Sequence, residues 1–317
     1  MAPPTIRIIT DGKIGDLVQC RGVASRLTTS ECIEEFVVKP DWFHALPLPF
    51  MPVQKSDRPG LAGSPLAEPF PDLVLASGRR TIPYLHALRR ARRNARSPVL
   101  VFLKDPRMGR GAADFVWAPV HDRLSGDDVL STHTSPHGFT SERLNEAAEA
   151  ARERFAHLPK PLVGVVLGGD SGSVKWTEDM ATDFANALAK RPDIGAFVVT
   201  PSRRTPDVLK RAVANALSDR PNWIWDETGD NPYVQILTGT DGLIVTGDSH
   251  NMVSESLVAG VPVAVYRPQG LQKKLHTFLD AMAEKGAICD LTEFDTQRSG
   301  IRVDATDEIA KAIAKLI

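Results

Sequence analysis

Leu162-Val-Gly-Val-Val-Leu-Gly-Gly-Asp-Ser-Gly-Ser173 decides the fold: six apolar residues run into a glycine and serine loop, and an amphipathic stretch opens at Glu178. An apolar run of that length closed by turn residues reads as a strand buried on both faces, and the helix behind it makes a βα unit of a parallel sheet. The same unit recurs along the chain. Strands are expected near Ile6 to Ile9, Ile33 to Val38, Leu73 to Ala76, Val99 to Leu103, Phe115 to Trp117 and Val129 to Ser131. A second set is expected near Leu162 to Leu167, Ala196 to Thr200, Trp223 to Trp225, Gly242 to Thr246, Pro262 to Tyr266 and Ala287 to Cys289. Six and six strands with helices between them predict an α/β protein of two doubly wound, Rossmann-like parallel-sheet domains.

At 317 residues the chain has the length of two such domains. Pro159-Lys160-Pro161 breaks the polar helix expected over Ser141 to Leu158, which sets the domains at 1–158 and 159–317. Residues 40–71 hold eight of the 24 prolines together with Trp42, Phe43, Phe50, Met51 and Phe70, a connection long enough to be either functional or disordered. Ile309, Ile313 and Leu316 share one helical face, so the segment 305–317 is expected to dock on a core.

Composition narrows the function classes. The formal net charge of −1 leaves no basic excess for bulk attraction to nucleic acid, so nucleic acid is not an expected partner. Three cysteines, Cys20, Cys32 and Cys289, form neither a disulfide framework nor a cysteine zinc site. With no secretory leader pattern and no apolar run of membrane-spanning length, a cytoplasmic location is expected, peripheral to a membrane if the basic segment below is used.

In open α/β sheets, ligands bind beyond the carboxyl ends of the strands. In the first half those ends carry Asp11-Gly-Lys-Ile-Gly-Asp16, Ser77-Gly-Arg-Arg80, Lys104-Asp-Pro-Arg107 and Pro119-Val-His-Asp122. In the second half they carry Gly168 to Ser173, Pro201-Ser-Arg-Arg-Thr-Pro206, Asp226 to Tyr233, Gly247-Asp-Ser-His250 and Arg267-Pro-Gln-Gly270. Ordinary turn chemistry accounts for any one loop, but less readily for arginine pairs behind two of the strands.

Donor-side candidates are Gly168, Gly169, Ser171, Gly172 and Ser173, whose amides would face a phosphate, and Arg203 and Arg204, whose planar forks match phosphate oxygens. Thr246, Gly247, Asp248, Ser249 and Asn251 open a further helix, and Glu255 on it would accept from ribose hydroxyls. Asn231 before Pro232 joins the donor set, although a helix start accounts for it equally well. Lys13, Arg79, Arg80 and Arg107 are candidates for acceptor or phosphate contact. For the general base there are three candidates, Asp16, His121 and Asp122. Position favours Asp16, and an imidazole's ordinary pKa near ~6.5 favours His121.

Several chemistries lack their motif. There is no GxxxxGK[ST], no Tyr-x-x-x-Lys, no GxGxxG after the first strand, no HExxH and no GxSxG. Asp-x-Asp is also missing, so neither a metal site nor a cofactor is expected. The stretch Arg79 to Arg96 holds seven arginines and could attract an anionic lipid surface or a lipid-linked acceptor. Leu85, Leu88, Ala91 and Ala95 along it equally make an ordinary buried stripe.

Taken together, these blocks resemble the mitochondrial fission protein family. The resemblance rests on Asp11-Gly-Lys-Ile-Gly with Gln19, Ser77-Gly-Arg-Arg-Thr81, Asp105-Pro-Arg107, Pro119-Val-His-Asp122, Ser202-Arg-Arg-Thr-Pro206, Gly229-Asp-Asn-Pro-Tyr233 and Thr246-Gly-Asp-Ser-His-Asn-Met-Val-Ser-Glu255. It implies a GT-B arrangement of two Rossmann-like domains facing a cleft. By that resemblance a nucleotide sugar is the expected partner and sugar transfer the expected reaction, because bacterial members are regarded as glycosyltransferases. The family's plant member looks like a recruiting factor for membrane fission, which leaves a non-catalytic adaptor as the alternative. At position 16 the family usually shows histidine where this chain has aspartate. Glu255 is placed like the ribose-binding glutamate of the glycosyltransferase that adds N-acetylglucosamine in peptidoglycan synthesis.

Overall fold

The computed structural model describes residues 2–42, 51–92 and 97–317, which form two compact units. In the first, β1 (Ile6–Thr10), β2 (Ile33–Val37), β3 (Leu73–Ser77), β4 (Val99–Leu103), β5 (Phe115–Pro119) and β6 (Val129–Thr132) form one sheet. Their order is β2-β1-β3-β4-β5-β6, with every pair parallel. Helices α1 (Ile14–Ala24) and α2 (Ile82–Ala91) provide two of its crossovers. Strands β1, β3, β4 and β5 are buried at every position, as strands covered on both faces must be. Alternation divides them between two cores. Ile6, Ile8, Leu73, Leu75 and Trp117 pack with Cys20 and Val23 of α1, whereas Ile9, Val74, Ala76 and Phe102 pack with Leu85 and Leu88 of α2.

The second unit opens with α3 (Ser141–Arg154) and builds a sheet from β7 (Leu162–Leu167), β8 (Ala196–Pro201), β9 (Asn222–Ile224), β10 (Gly242–Thr246) and β11 (Val263–Tyr266). Its order is β11-β10-β7-β8-β9, again all parallel. The helices α4 (Glu178–Ala189), α5 (Asp207–Ala216), α6 (Tyr233–Gly239), α7 (His250–Ser256) and α8 (Lys273–Glu284) surround one core that contains Val165, Phe184, Phe197, Ile244 and Phe278.

Three expectations need correction. The second sheet has five strands, because 287–289 contributes only an isolated bridge between Cys289 and Ala264. The units are 1–138 with 305–317, and 139–304, rather than 1–158 and 159–317. Pro159 to Pro161 does separate α3 from β7, but a helix belongs to the core it packs on. Ala151 of α3 is fully buried and sits where a Cβ on Gly239 of α6 would collide with it at 2.2 Å. Phe155 meets the Trp223 ring at 5.6 Å. At the other end, α9 (Thr306–Ala314) docks on the first unit, with Ile309 and Ile313 fully buried in its core as their spacing predicts. Leu316 stays exposed.

Within the long connection, residues 51–71 are tethered rather than loose. Arg7, buried in β1, donates to the carbonyls of Pro65 (3.2 Å) and Ala67 (2.9 Å), and Met51, Val53 and Leu66 are buried. Phe43 and Phe50 lie outside the described residues.

Candidate functional site

Each strand order has one place where the chain's winding reverses, and there the crossovers leave in opposite directions and open a crevice at the carboxyl edge. In the first unit it lies between β1 and β3, in the second between β7 and β10. Residues 11–16 and 77–81 occupy the first reversal, and residues 168–173 and 247–250 the second.

At the first reversal, β1 ends in Thr10, whose side chain lies on the Ile6 and Ile8 face, the one α1 covers. Asp11 follows, its side chain 4% exposed, and presses against β3's outgoing turn, where a Cβ on Gly78 (φ +93°) would come within 2.5 Å of the Asp11 carboxylate carbon. Gly12, Lys13, Ile14 and Gly15 are exposed, and Asp16 turns inward from the first turn of α1 at 3% exposure. Lys104, directly after β4, donates from Nζ to Asp16 Oδ1 at 3.1 Å. Its backbone sits at φ +148°, a region that side chains rarely tolerate and that concentrates at functional positions. Lys13 Nζ lies 3.4 Å from Asp11 Oδ2. Thr10 Oγ1, Asp11 Oδ1 and Asp16 Oδ2 are buried with no hydrogen-bond partner among the described residues. Protein interiors rarely leave such atoms unsatisfied.

The other base candidates stand apart. His121 and Asp122 form a short turn after β5, three strand places from β1, or roughly 14 Å at the usual strand spacing. Their side chains approach to 3.7 Å, longer than a hydrogen bond. Arg79 and Arg80 are exposed beside the first reversal, and Arg107 is exposed after β4 with its backbone N–H bonded to Asp105. The basic segment is less free than its composition suggests, since Arg89 and Arg92 both pair with Asp114. Arg93 and Arg96 lie outside the described residues.

The second reversal is tied shut on itself. Asp248, buried after β10, accepts from Gly169 N–H (2.9 Å) and from Thr246 Oγ1 (2.7 Å), and Thr246 Oγ1 is also the acceptor for Gly168 N–H (2.7 Å). Burial pushes the Asp248 carboxyl above its ordinary pKa, against the pull of those donors and of Arg204. A Cβ on Gly168 would lie 2.2 Å from that carboxylate, and one on Gly169 1.9 Å from the Arg204 carbonyl oxygen. These two glycines are therefore required by packing. The amides of Asp170, Ser171, Ser173 and Val174 are likewise bonded within the protein, so the loop does not present the open phosphate cradle expected of Gly168 to Ser173. Gly172 faces open space.

Arg204, exposed like its neighbour Arg203, donates to the Asp170 carbonyl (3.0 Å) and lies 3.7 Å from Asp248. Ser249 caps α7 by accepting from Met252 N–H, and Asn231 accepts from Tyr233 N–H at the start of α6. Glu255 does not project into solvent as a free carboxylate, because Tyr233 Oη donates to its Oε2 at 2.7 Å. Burial first, then the nearby carboxylate, pushes the Tyr233 hydroxyl well above its ordinary pKa, so it remains a donor. Sequence reasoning missed Tyr233 and the Lys104 clamp. Gly247 is packed beneath Leu279 and Val265, and Asn251 stands in the first turn of α7. No group of three or more metal-binding side chains occurs among the described residues.

Against known proteins, the chain matches the family described as Mitochondrial fission ELM1 over residues 15–317. Mitochondrial fission protein ELM1 of Arabidopsis thaliana is 27% identical over 271 residues, which cover 78% of this chain and 63% of the plant protein. The chain thus spans less than two thirds of that relative. Protein RP120 of Rickettsia prowazekii is 25% identical over 284 residues, covering 78% of this chain and 79% of its own. Among solved structures, UDP-GlcNAc 2-epimerase from Methanocaldococcus jannaschii superposes with a TM-score of 0.61 at 13% identity, covering 98% and 99% of the two chains. MurG from Acinetobacter baumannii gives 0.51 at 13% identity, covering 99% and 92%. A UDP-glucosyltransferase from Polygonum tinctorium gives 0.52 at 13% identity, covering 99% and 90%. At such identities the likeness is one of fold, the GT-B pairing of two Rossmann-like units.

Proposed function

The chain belongs to the Mitochondrial fission ELM1 family, and from that premise we propose that it is a GT-B glycosyltransferase that moves a sugar from a nucleoside diphosphate onto an acceptor hydroxyl. The second unit holds the donor and the first unit the acceptor. One observation carries the reading: Asp16 is a buried carboxylate with one oxygen fixed by Lys104 and the other without a partner among the described residues, at a sheet's winding reversal. A base so held accepts the acceptor's hydroxyl proton on Oδ2 as that oxygen attacks the anomeric carbon. The bond from the anomeric carbon to the diphosphate oxygen breaks, and the diphosphate leaves with both electrons. Arg203, exposed beside the donor loop, meets the developing charge. Glu255, oriented by Tyr233, accepts from the ribose hydroxyls. The sequence lacks an Asp-x-Asp metal grip, so the charge is assigned to arginine.

The related folds support a nucleotide-sugar partner, since a UDP-GlcNAc 2-epimerase and a UDP-glucosyltransferase share the architecture. The fission name of the Arabidopsis relative favours a second reading, an adaptor that keeps the fold without the chemistry. Thermal stabilisation by a panel of nucleoside diphosphates and their sugars separates the two. A ligand at ~100 times its dissociation constant adds about 2.7 kcal/mol to folding stability. Changing Arg203→Gln together with Arg204→Gln is expected to weaken nucleoside diphosphate binding far more than nucleoside binding. Absence of any nucleotide effect supports the adaptor.

A further inference from the structure

The first unit's winding reversal gathers two carboxylates and a hydroxyl that the proposed reaction uses only in part. Asp16 Oδ2 serves as base, but Asp11 Oδ1 and Thr10 Oγ1 are buried, unpartnered among the described residues and have no role in the transfer as written. Thr10 ends β1, Asp11 follows it and Asp16 stands in the first turn of α1, with the exposed residues 12–15 between them. From this we infer that the crevice between β1 and β3 is a subsite for a neutral carbohydrate ring, with Asp11 and Thr10 taking hydroxyl groups next to the one Asp16 deprotonates. The inference rests on the first unit being the acceptor side.

Charge balance selects that ligand class. A carboxylate oxygen seeks a donor, and either a hydroxyl or an ammonium would serve. The ammonium demand is already met, because Lys13 Nζ lies 3.4 Å from the other oxygen of Asp11 and Lys104 Nζ 3.1 Å from the other oxygen of Asp16. Two carboxylates facing two ammonium groups balance one another and leave acceptor atoms in excess, with the exposed Arg79 and Arg80 standing beside them. A further cation would be repelled by Lys13, Lys104 and the two arginines, and an anion, whatever it gained from the arginines, would bring no donor to the unpartnered carboxylate oxygens. Neutral hydroxyls on a rigid ring supply donors at fixed spacing without disturbing that balance. Gly78 is part of the same construction, since any side chain there would displace the Asp11 carboxylate.

The test uses the full chain without nucleotide, so it stands apart from donor binding. Saturation-transfer NMR with the methyl glycosides of glucose, mannose and N-acetylglucosamine is compared with cyclohexanol and propylammonium at equal concentration. At least one glycoside is expected to bind, and neither control is. Asp11→Asn and Thr10→Val should each weaken that binding by about tenfold, the cost of losing a good hydrogen bond to a buried group. Thr10→Val should not lower the melting temperature, because it removes an unsatisfied buried atom, and Asp11→Asn, which keeps the side chain's shape and loses only the charge facing the exposed Lys13, should move it little. Overturning results are binding unaltered by both variants, a melting temperature that falls in step with binding, equal saturation by propylammonium, or no glycoside binding at all. If nucleoside diphosphates still stabilise the chain in that last case, the transferase reading stands and only the carbohydrate subsite is lost.

Discussion

The two winding reversals sit at the same place in two similar sheets and are finished in opposite ways. In the second unit, Asp248 ties the two outgoing loops together, and the amides of Gly168 to Ser171, Ser173, Val174 and Gly247 are bonded within the protein. In the first unit, Asp11 and Asp16 each pair with a lysine and each keeps one oxygen without a partner among the described residues. The difference teaches where a glycine-rich loop misleads. Gly168 and Gly169 have the composition of a phosphate cradle, yet close packing against Asp248 and Arg204 requires them. The more open polar chemistry lies behind β1, where the sequence looks less distinctive.

The largest expected effect tests the closed reversal. Gly169→Ala should destabilise the second unit by about 3 kcal/mol, because its Cβ meets backbone. Gly172→Ala, three positions along and facing open space, should stay within about 0.5 kcal/mol. Calorimetry on the pair checks this, and equal effects would break the contrast between packing glycine and loop glycine.

Next in size is a test of the open reversal. Asp16→Asn should cut sugar transfer by ~100-fold or more while sparing donor affinity. Turnover kept in Asp16→Asn but lost in His121→Ala would move the base to the turn after β5. A smaller effect, about tenfold, is expected for Glu255→Gln on ribonucleotide affinity, with a 2′-deoxy analogue nearly unchanged. Tyr233→Phe should move the same ratio in the same direction, because the hydroxyl that orients the carboxylate is removed.

The smallest is a slope. Burial raises the Asp248 carboxyl pKa in the folded chain, so the folded state holds this proton more tightly than the unfolded one. Its contribution is present below the ordinary value of 3.8 and is lost as pH rises through the raised folded value. Asp248→Asn removes that dependence. Relative to the parent, the variant should gain stability between acid and neutral pH, as followed by denaturant midpoints, and a parallel pair of curves would count against it.

All eleven strands begin within one residue of where the apolar runs place them, β9 one early and β11 one late, because a strand covered on both faces writes itself as an apolar run, and only β2, β6 and β9 are partly exposed over most of their length. What escaped the sequence depends on contacts distant in the chain. Nothing local tells α3 to pack on α6, or 305–317 to return to the first unit. The apolar segment 287–289 resembles its neighbours yet makes one bridge. At the site, the residue types were legible and their commitments were not. Asp248 reads like a ligand residue and serves as a tie. The role of Lys104 depends on a positive φ that no side-chain pattern reports. Tyr233 looks like the end of a helix-start signal until its hydroxyl is found on Glu255.

The return of α9 has a consequence for how the molecule is made. Ile309 and Ile313 fill the core under β1 and β3, Arg26 pairs with Asp307 at 2.7 Å, and Thr306 Oγ1 accepts from His137 N–H. A ribosome delivers β1 first, but the sheet it starts cannot close its inner face until residues 305–317 emerge. The whole 139–304 unit has by then been synthesised and is free to fold. The unit begun first is thus completed last, and a chain cut just before residue 305 would carry a whole second unit together with an apolar sheet face in the first that still needs protection from aggregation.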